Sequence, residues 1–108
     1  MLENDLIAKN NRGEIIKFGM GKYPDDNNLT EIISISNNTT YLHLYNNQLT
    51  SLPEKLPKKL RMLFCYHNKI KQLPDLRNYK NLIDVCCDMC CFEDYMLEMK
   101  NTEFTFHC

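Results

Sequence analysis

No apolar run in the sequence approaches the roughly 18 residues that a membrane-spanning helix needs, so no membrane contact is expected. An excess of one charge sign is also missing. Lys and Arg number 13 against 14 Asp and Glu, a formal net charge of −1. Proteins that track nucleic-acid phosphates are usually clearly basic, so nucleic acid is not expected as a partner. The opening stretch MLENDLIAKNNRGEII carries Glu3 and Asp5 and lacks a basic segment followed by an apolar one. No signal peptide is therefore expected, and the reading is intracellular and cytoplasmic. Glycine is scarce, with three in the chain. Two lie in FGMGK, Phe18 to Lys22, which lacks the spacing of a phosphate-cradling loop. The three histidines form no recognisable triad with a nucleophile. No catalytic residue, no cofactor and no enzymatic activity are expected.

What is present is a repeated pattern. YLHLYNNQLTSLP, Tyr41 to Pro53, is followed 21 residues later by MLFCYHNKIKQLP, Met62 to Pro74. Leu42 returns as Leu63, Leu44 as Cys65, Asn47 as Asn68, Leu49 as Ile70, Leu52 as Leu73 and Pro53 as Pro74. A period of this length signals stacked repeat units. The alternating apolar residues predict a short strand with one face inward. Asn47 and Asn68 follow the strand, where a bend buries backbone that needs both donors and acceptors, and a carboxamide supplies both. Pro53 and Pro74 lack an N–H and suit an extended return segment.

The pattern L-x-x-L-x-L/C-x-x-N-x-L/I-x-x-L-P resembles the leucine-rich repeat family, specifically its short 20–22 residue "LP" type, which is similar to Asn-rich repeats of giant DNA viruses and bacterial effectors. The resemblance covers Thr39 to Tyr95, about half the chain. It implies a mainly β fold with little helix, of the α/β solenoid class. Each repeat would add one parallel strand to a curved sheet whose concave face binds a protein partner. A degenerate third copy, shifted by 22, sets Leu82, Val85 and Cys87 over Leu60, Leu63 and Cys65. Cys90 then falls on the Asn68 position, Phe92 on Ile70 and Tyr95 on Leu73, with the Pro lost to Met96.

One domain is expected, with residues 1–38 as an N-terminal β-hairpin-like cap, 39–91 as the repeats and 92–108 as a C-terminal cap. Stacked repeats expose apolar ends and require such caps. Leu6 to Met20 reads as two short strands around an Asn11-Arg12-Gly13 turn, and YPDDNN, Tyr23 to Asn28, as a turn or loop. Ile33 and Ile35 alternate ahead of a polar NNTT stretch. They suggest a hairpin feeding the Leu42 strand, or an abbreviated leading repeat. Phe92 to Lys100 suggests a short helix, and the tail TEFTFHC alternates like a strand.

Alternation also places residues on the outer face of the strands. They are Tyr41, His43 and Tyr45, then Met62, Phe64 and Tyr66, then Asp84, Cys86 and Asp88, with His67 following the second strand. A face that met only water would be polar, yet most of these are large aromatic or Met side chains, as in interface cores. Tyr41, His43, Tyr45, Met62, Phe64, Tyr66, His67, Asp84 and Asp88 are therefore the candidate partner-binding residues. The competing readings are plain cross-strand packing and coverage by a cap or a second copy.

CCDMCC, Cys86 to Cys91, contains one C-x-x-C, and His107 and Cys108 could complete a zinc set. A second such pair is missing, and the repeat already explains Cys87 and Cys90 as small core residues. No metal site is expected. The leading function is a protein-interaction module with an unidentified protein partner, a host protein if the chain is viral. The alternatives are a structural or self-associating fragment and a Cys-rich metal-binding module.

Overall fold

The computed structural model describes residues 6–19, 24–88 and 105–107. The described residues form seven strands and no helix. They are β1 (Leu6–Asn10), β2 (Ile15–Phe18), β3 (Leu29–Ile35), β4 (Tyr41–His43), β5 (Met62–Phe64), β6 (Asp84–Cys86) and β7 (Thr105–His107).

The first three make an antiparallel sheet in the order β2-β1-β3. The expected turn between β1 and β2 is present and has a local cause. The Asn10 carboxamide oxygen accepts the N–H groups of Arg12 and Glu14, both at 3.0 Å. Gly13 has φ +79, which glycine adopts without steric cost. Leu6, Ala8 and Phe18 face inward, with Ile16, Ile32 and Ile35 packed against them.

Two expectations about β3 are corrected. Its pairing with β1 shifts register between Ile7 and Ala8, so Ser34 and Ile32 oppose consecutive residues and Ile33 is squeezed out. The extra residue breaks the period of two. Ile32 and Ile35 turn inward, and Ile33 is 48% exposed. The hairpin between β3 and β4 is also not formed. β3 hydrogen-bonds to β1, while β4 pairs in parallel with β5. The polar stretch between them is a turn, with Thr39 N–H on the Ser36 carbonyl at 3.1 Å.

The other four strands form a parallel sheet in the order β4-β5-β6-β7. Tyr41 aligns with Met62 and Asp84, Leu42 with Leu63 and Val85, and His43 with Phe64 and Cys86. The inward residues form the core. Leu44, Cys65 and Cys87 are buried to 1% exposure or less, as are Leu63 and Val85. The degenerate third copy is therefore a rung of this sheet. So is the tail: Thr105, Phe106 and His107 align with Asp84, Val85 and Cys86. Residues 105–107, placed by the sequence in a C-terminal cap, are instead the fourth parallel strand. The helix expected over Phe92 to Lys100, and the positions of Cys90, Cys91, Phe92 and Tyr95, lie outside the described residues.

Before β5 and β6 the chain makes the same turn twice. Leu60 N–H donates to Pro57 C=O at 3.1 Å, and Leu82 N–H to Tyr79 C=O at 3.1 Å. Tyr79 replaces Pro57, and its hydroxyl accepts the Leu56 N–H at 2.8 Å, tying neighbouring repeats together. One buried cluster runs from Leu6 through Leu29 to Cys87, so both sheets share a core.

Asp75 opens the turn before β6 as the acceptor for Arg77. It takes the Arg77 N–H at 3.0 Å and the guanidinium at 2.7 Å. The side-chain bonds, then the backbone bond, lower its pKa to about 2 from 3.8. A folded pKa below the unfolded one means the pair stabilises the fold fully above pH 3.8 and loses that effect as pH falls to about 2. Carboxyl NMR titration should show an Asp75 midpoint well below that of an ordinary aspartate, and Arg77→Ala should return it to the ordinary range.

Candidate functional site: the outer face of the parallel sheet

The site begins with the bend that ends each strand. Asp26, Asn46 and His67 have φ of 60, 56 and 58 and lie 20 and 21 residues apart. Asp, Asn and His are the non-glycine residues most enriched in this left-handed region. The bend turns the next residue inward, and in the second and third units that residue is Asn47 or Asn68.

These asparagines hydrogen-bond adjacent units to one another. The Asn47 oxygen accepts Asn27 N–H at 3.1 Å and Leu29 N–H at 2.9 Å. Its amide donates to the Pro24, Leu44 and Tyr45 carbonyls at 3.0, 3.2 and 3.4 Å. One unit later the Asn68 oxygen accepts Leu49 N–H at 3.0 Å, and its amide donates to the Leu44, Cys65 and Tyr66 carbonyls. The predicted role of both side chains, as donor and acceptor to buried backbone, is what the structure shows.

The same bonds reveal a leading unit where the sequence predicts a turn or loop over Tyr23 to Asn28. Asp26 N–H donates to Tyr45 C=O at 3.0 Å and Gln48 N–H to Leu29 C=O at 2.8 Å. Asn46 N–H donates to Tyr66 C=O and Lys69 N–H to Leu49 C=O in the same way. Asp25-Asp26-Asn27-Asn28-Leu29-Thr30 thus stacks on Tyr45-Asn46-Asn47-Gln48-Leu49-Thr50. The signal was the shared Asn, Leu and Thr at a spacing of 20.

On this framework the outer face carries three contiguous columns. Tyr41, Met62 and Asp84 form the first, with Tyr41 49% exposed. His43, Phe64 and Cys86 form the second, and the His43 and Phe64 rings are 5.1 Å apart between centroids. At the bend, Tyr45 and Tyr66 stack at 6.0 Å with rings 23° from parallel. His67 meets Tyr66 at 4.2 Å and Tyr45 edge-on at 5.3 Å. The structure therefore brings the candidate residues onto one face, with His43 paired to Phe64 and with Tyr45, Tyr66 and His67 in mutual contact.

Asp88 continues the Tyr45–Tyr66 row, half-buried, and has a structural role as well. Its carboxylate accepts the N–H groups of His67 at 2.9 Å and Asn68 at 3.1 Å, closing the third bend. Asp25, absent from the candidates, does the equivalent at the other end, accepting Tyr45 N–H at 2.8 Å. Cys65 and Cys87 are buried and Cys86 is half-buried. Among the described residues no group of three His, Cys, Asp or Glu is placed to hold a metal.

Residues 40–78 match the family model described as Leucine Rich repeats (2 copies). The match falls on β4, β5 and the bends that follow them, and it supports a leucine-rich repeat family for this chain. Domains built from such repeats generally mediate protein–protein interaction. No curated protein and no solved structure matches the chain.

Proposed function

We propose that this chain is a non-enzymatic protein-interaction module, a short solenoid of the LP type that presents the outer, concave face of its parallel sheet to a protein partner. One observation carries the reading. The inward residues of β4 to β6 are buried, yet half of the outward ones are rings, two more rings follow at Tyr45 and Tyr66, and Tyr41 and Tyr45 remain 49% and 40% exposed. Ring pairing across strands accounts for about 0.5–1.5 kcal/mol per contact. It does not explain why the solvent side of Tyr41 and Tyr45 carries an aromatic residue.

An intracellular location belongs to the same proposal. So does a host protein as partner if the chain is viral. Self-association is the second reading, favoured by Ile15 and Ile33, 52% and 48% exposed on the solvent side of the antiparallel sheet.

The test is affinity capture from a host lysate with the Phe64→Ala, Tyr66→Ala double variant. Both side chains lie on the outer face, so the variant should keep a cooperative melt while losing the captured protein. Equal capture by the folded double variant would remove the basis for the proposal.

A further inference from the structure

Charge is segregated around the proposed face. Eight of the 13 Lys and Arg lie between residues 54 and 80, but only two of the 14 Asp and Glu do. Most of these cations stand on the turns and return segments, where Lys55, Lys58, Lys59, Lys71 and Lys80 are exposed. None of the three outward columns, nor the row along the bends, contains a Lys or Arg. Arg61 stands just before β5, at the opposite end of the strand from the bend.

The row along the bends reads Asp25, Tyr45, Tyr66, Asp88 across four successive units. The two carboxylates are fixed by backbone N–H groups of the neighbouring unit, and the two rings between them stack on each other. The row therefore has an acidic side chain at each end. Aromatic faces attract cations through their quadrupole, within about 6 Å of the ring centre. Neighbouring strands lie about 4.8 Å apart, so the row spans about 14 Å. An extended chain covers that length in about four residues, with every second side chain on one side.

Building on the binding reading above, we propose that the partner presents an extended basic segment, with Lys or Arg at alternate positions, which lies along the Asp25–Tyr45–Tyr66–Asp88 row. The outer cations meet the two carboxylates and the central one lies over the tyrosine rings. The cation-free face and the acid-bounded row are complementary to that segment and repel an acidic one.

The test uses three labelled 11-residue peptides in fluorescence anisotropy at low salt: one with alternating Lys and Arg, one with alternating Asp and Glu, and one with alternating Ser and Leu. The basic peptide should bind, and the other two at least tenfold more weakly. Tyr45→Lys should weaken the basic peptide by about tenfold or more, by losing the ring and adding a like charge. Tyr45→Phe should change it less than about twofold, because the quadrupole remains. Asp25→Asn keeps an oxygen for the Tyr45 N–H but loses the charge, and should weaken binding about two- to fivefold. Thermal melts confirm that each variant is folded. A basic peptide that does not bind, or that binds Tyr45→Lys as tightly as the parent, overturns the inference. If the Ser/Leu peptide binds best and is lost with Phe64→Ala, the face still binds but its partner is not basic. Best binding of the acidic peptide overturns the inference in favour of the lysine-bearing turns.

Discussion

Replacing Asn47 with Ala is expected to cost about 3–5 kcal/mol, a large part of the about 5–15 kcal/mol that holds a domain folded. The side chain is 7% exposed and makes five hydrogen bonds to backbone. Two of its acceptors keep other donors, because Leu44 C=O also receives Asn68 and Tyr45 C=O also receives Asp26 N–H. The N–H groups of Asn27 and Leu29 and the carbonyl of Pro24 lose the bond that Asn47 supplied. A buried polar group left unmade costs about 1–3 kcal/mol, and three of them dominate the removal of one polar side chain. Asn47→Asp should also fail: its oxygens can accept from Asn27 and Leu29, but one then faces carbonyls in place of an amide. Asn37, exposed in the Ser36–Thr39 turn, is the control, and its Ala variant should stay within about 0.5 kcal/mol. Urea unfolding measures all three, and Asn47→Ala should lower Tm by about 15 °C or more. A loss below about 1 kcal/mol would mean that water fills the bend, and the account of these asparagines would be wrong.

The same bonds explain which parts of the fold could be read in advance. Where an alternating apolar pair is followed by Asn and then Leu-Pro, local and tertiary demands coincide, and the inward positions Leu42, Leu44, Leu63 and Cys65 are legible from spacing alone. Val85 and Cys87 were legible because the shift of 22 restored the register. The leading unit was not: the polar Pro24-Asp25 precedes its bend in place of the apolar strand that the other units carry. Its remaining signal, Asn27 and Leu29 at a spacing of 20 from Asn47 and Leu49, is weak without that strand. β7 was read as a strand but not as a rung, although Val85 to Phe106 keeps the 21-residue interval. In its register Glu103 stands where the other rungs carry Leu60 and Leu82, so the leading apolar position is lost. The bulge at Ile33 escaped because a register shift depends on the partner strand, and pairing with β1 was not foreseen.

The candidate face was legible to the same degree and for the same reason. Once inward positions are known, alternation assigns the outward ones, and the columns Tyr41–Met62–Asp84 and His43–Phe64–Cys86 follow. Alternation carries on past the last strand residue to Tyr45, Tyr66 and Asp88, but it does not show what a side chain there bonds. Asp25 accepts an N–H of the following unit and Asp88 accepts two of the preceding one. That these carboxylates also close bends is not visible in the sequence, because it depends on where the neighbouring N–H groups lie.

Leu63→Ala should rival the Asn47 variant, by a different route. Leu63 is fully buried on an interior rung, aligned with Leu42 on one side and Val85 on the other. Truncating a buried Leu costs the transfer of its lost carbons plus the cavity left behind, together about 3–5 kcal/mol when the surroundings cannot collapse. Collapse is hindered here because hydrogen bonds hold the backbone on both sides at a fixed spacing: Leu44 N–H to Phe64 C=O at 2.7 Å and Cys65 N–H to Cys86 C=O at 2.9 Å. In stacked units each layer is stabilised chiefly by its neighbours, so a defect in an interior rung weakens two interfaces. Leu6→Ala, in the antiparallel sheet, removes the same atoms but leaves the stack intact. Urea unfolding should therefore show the larger loss for Leu63→Ala. Amide exchange should show protection falling together in β4, β5 and β6. If exchange quickened only at β5, with β4 and β6 as protected as before, the rungs would be independent, and the shared interior column would not be what stabilises the sheet.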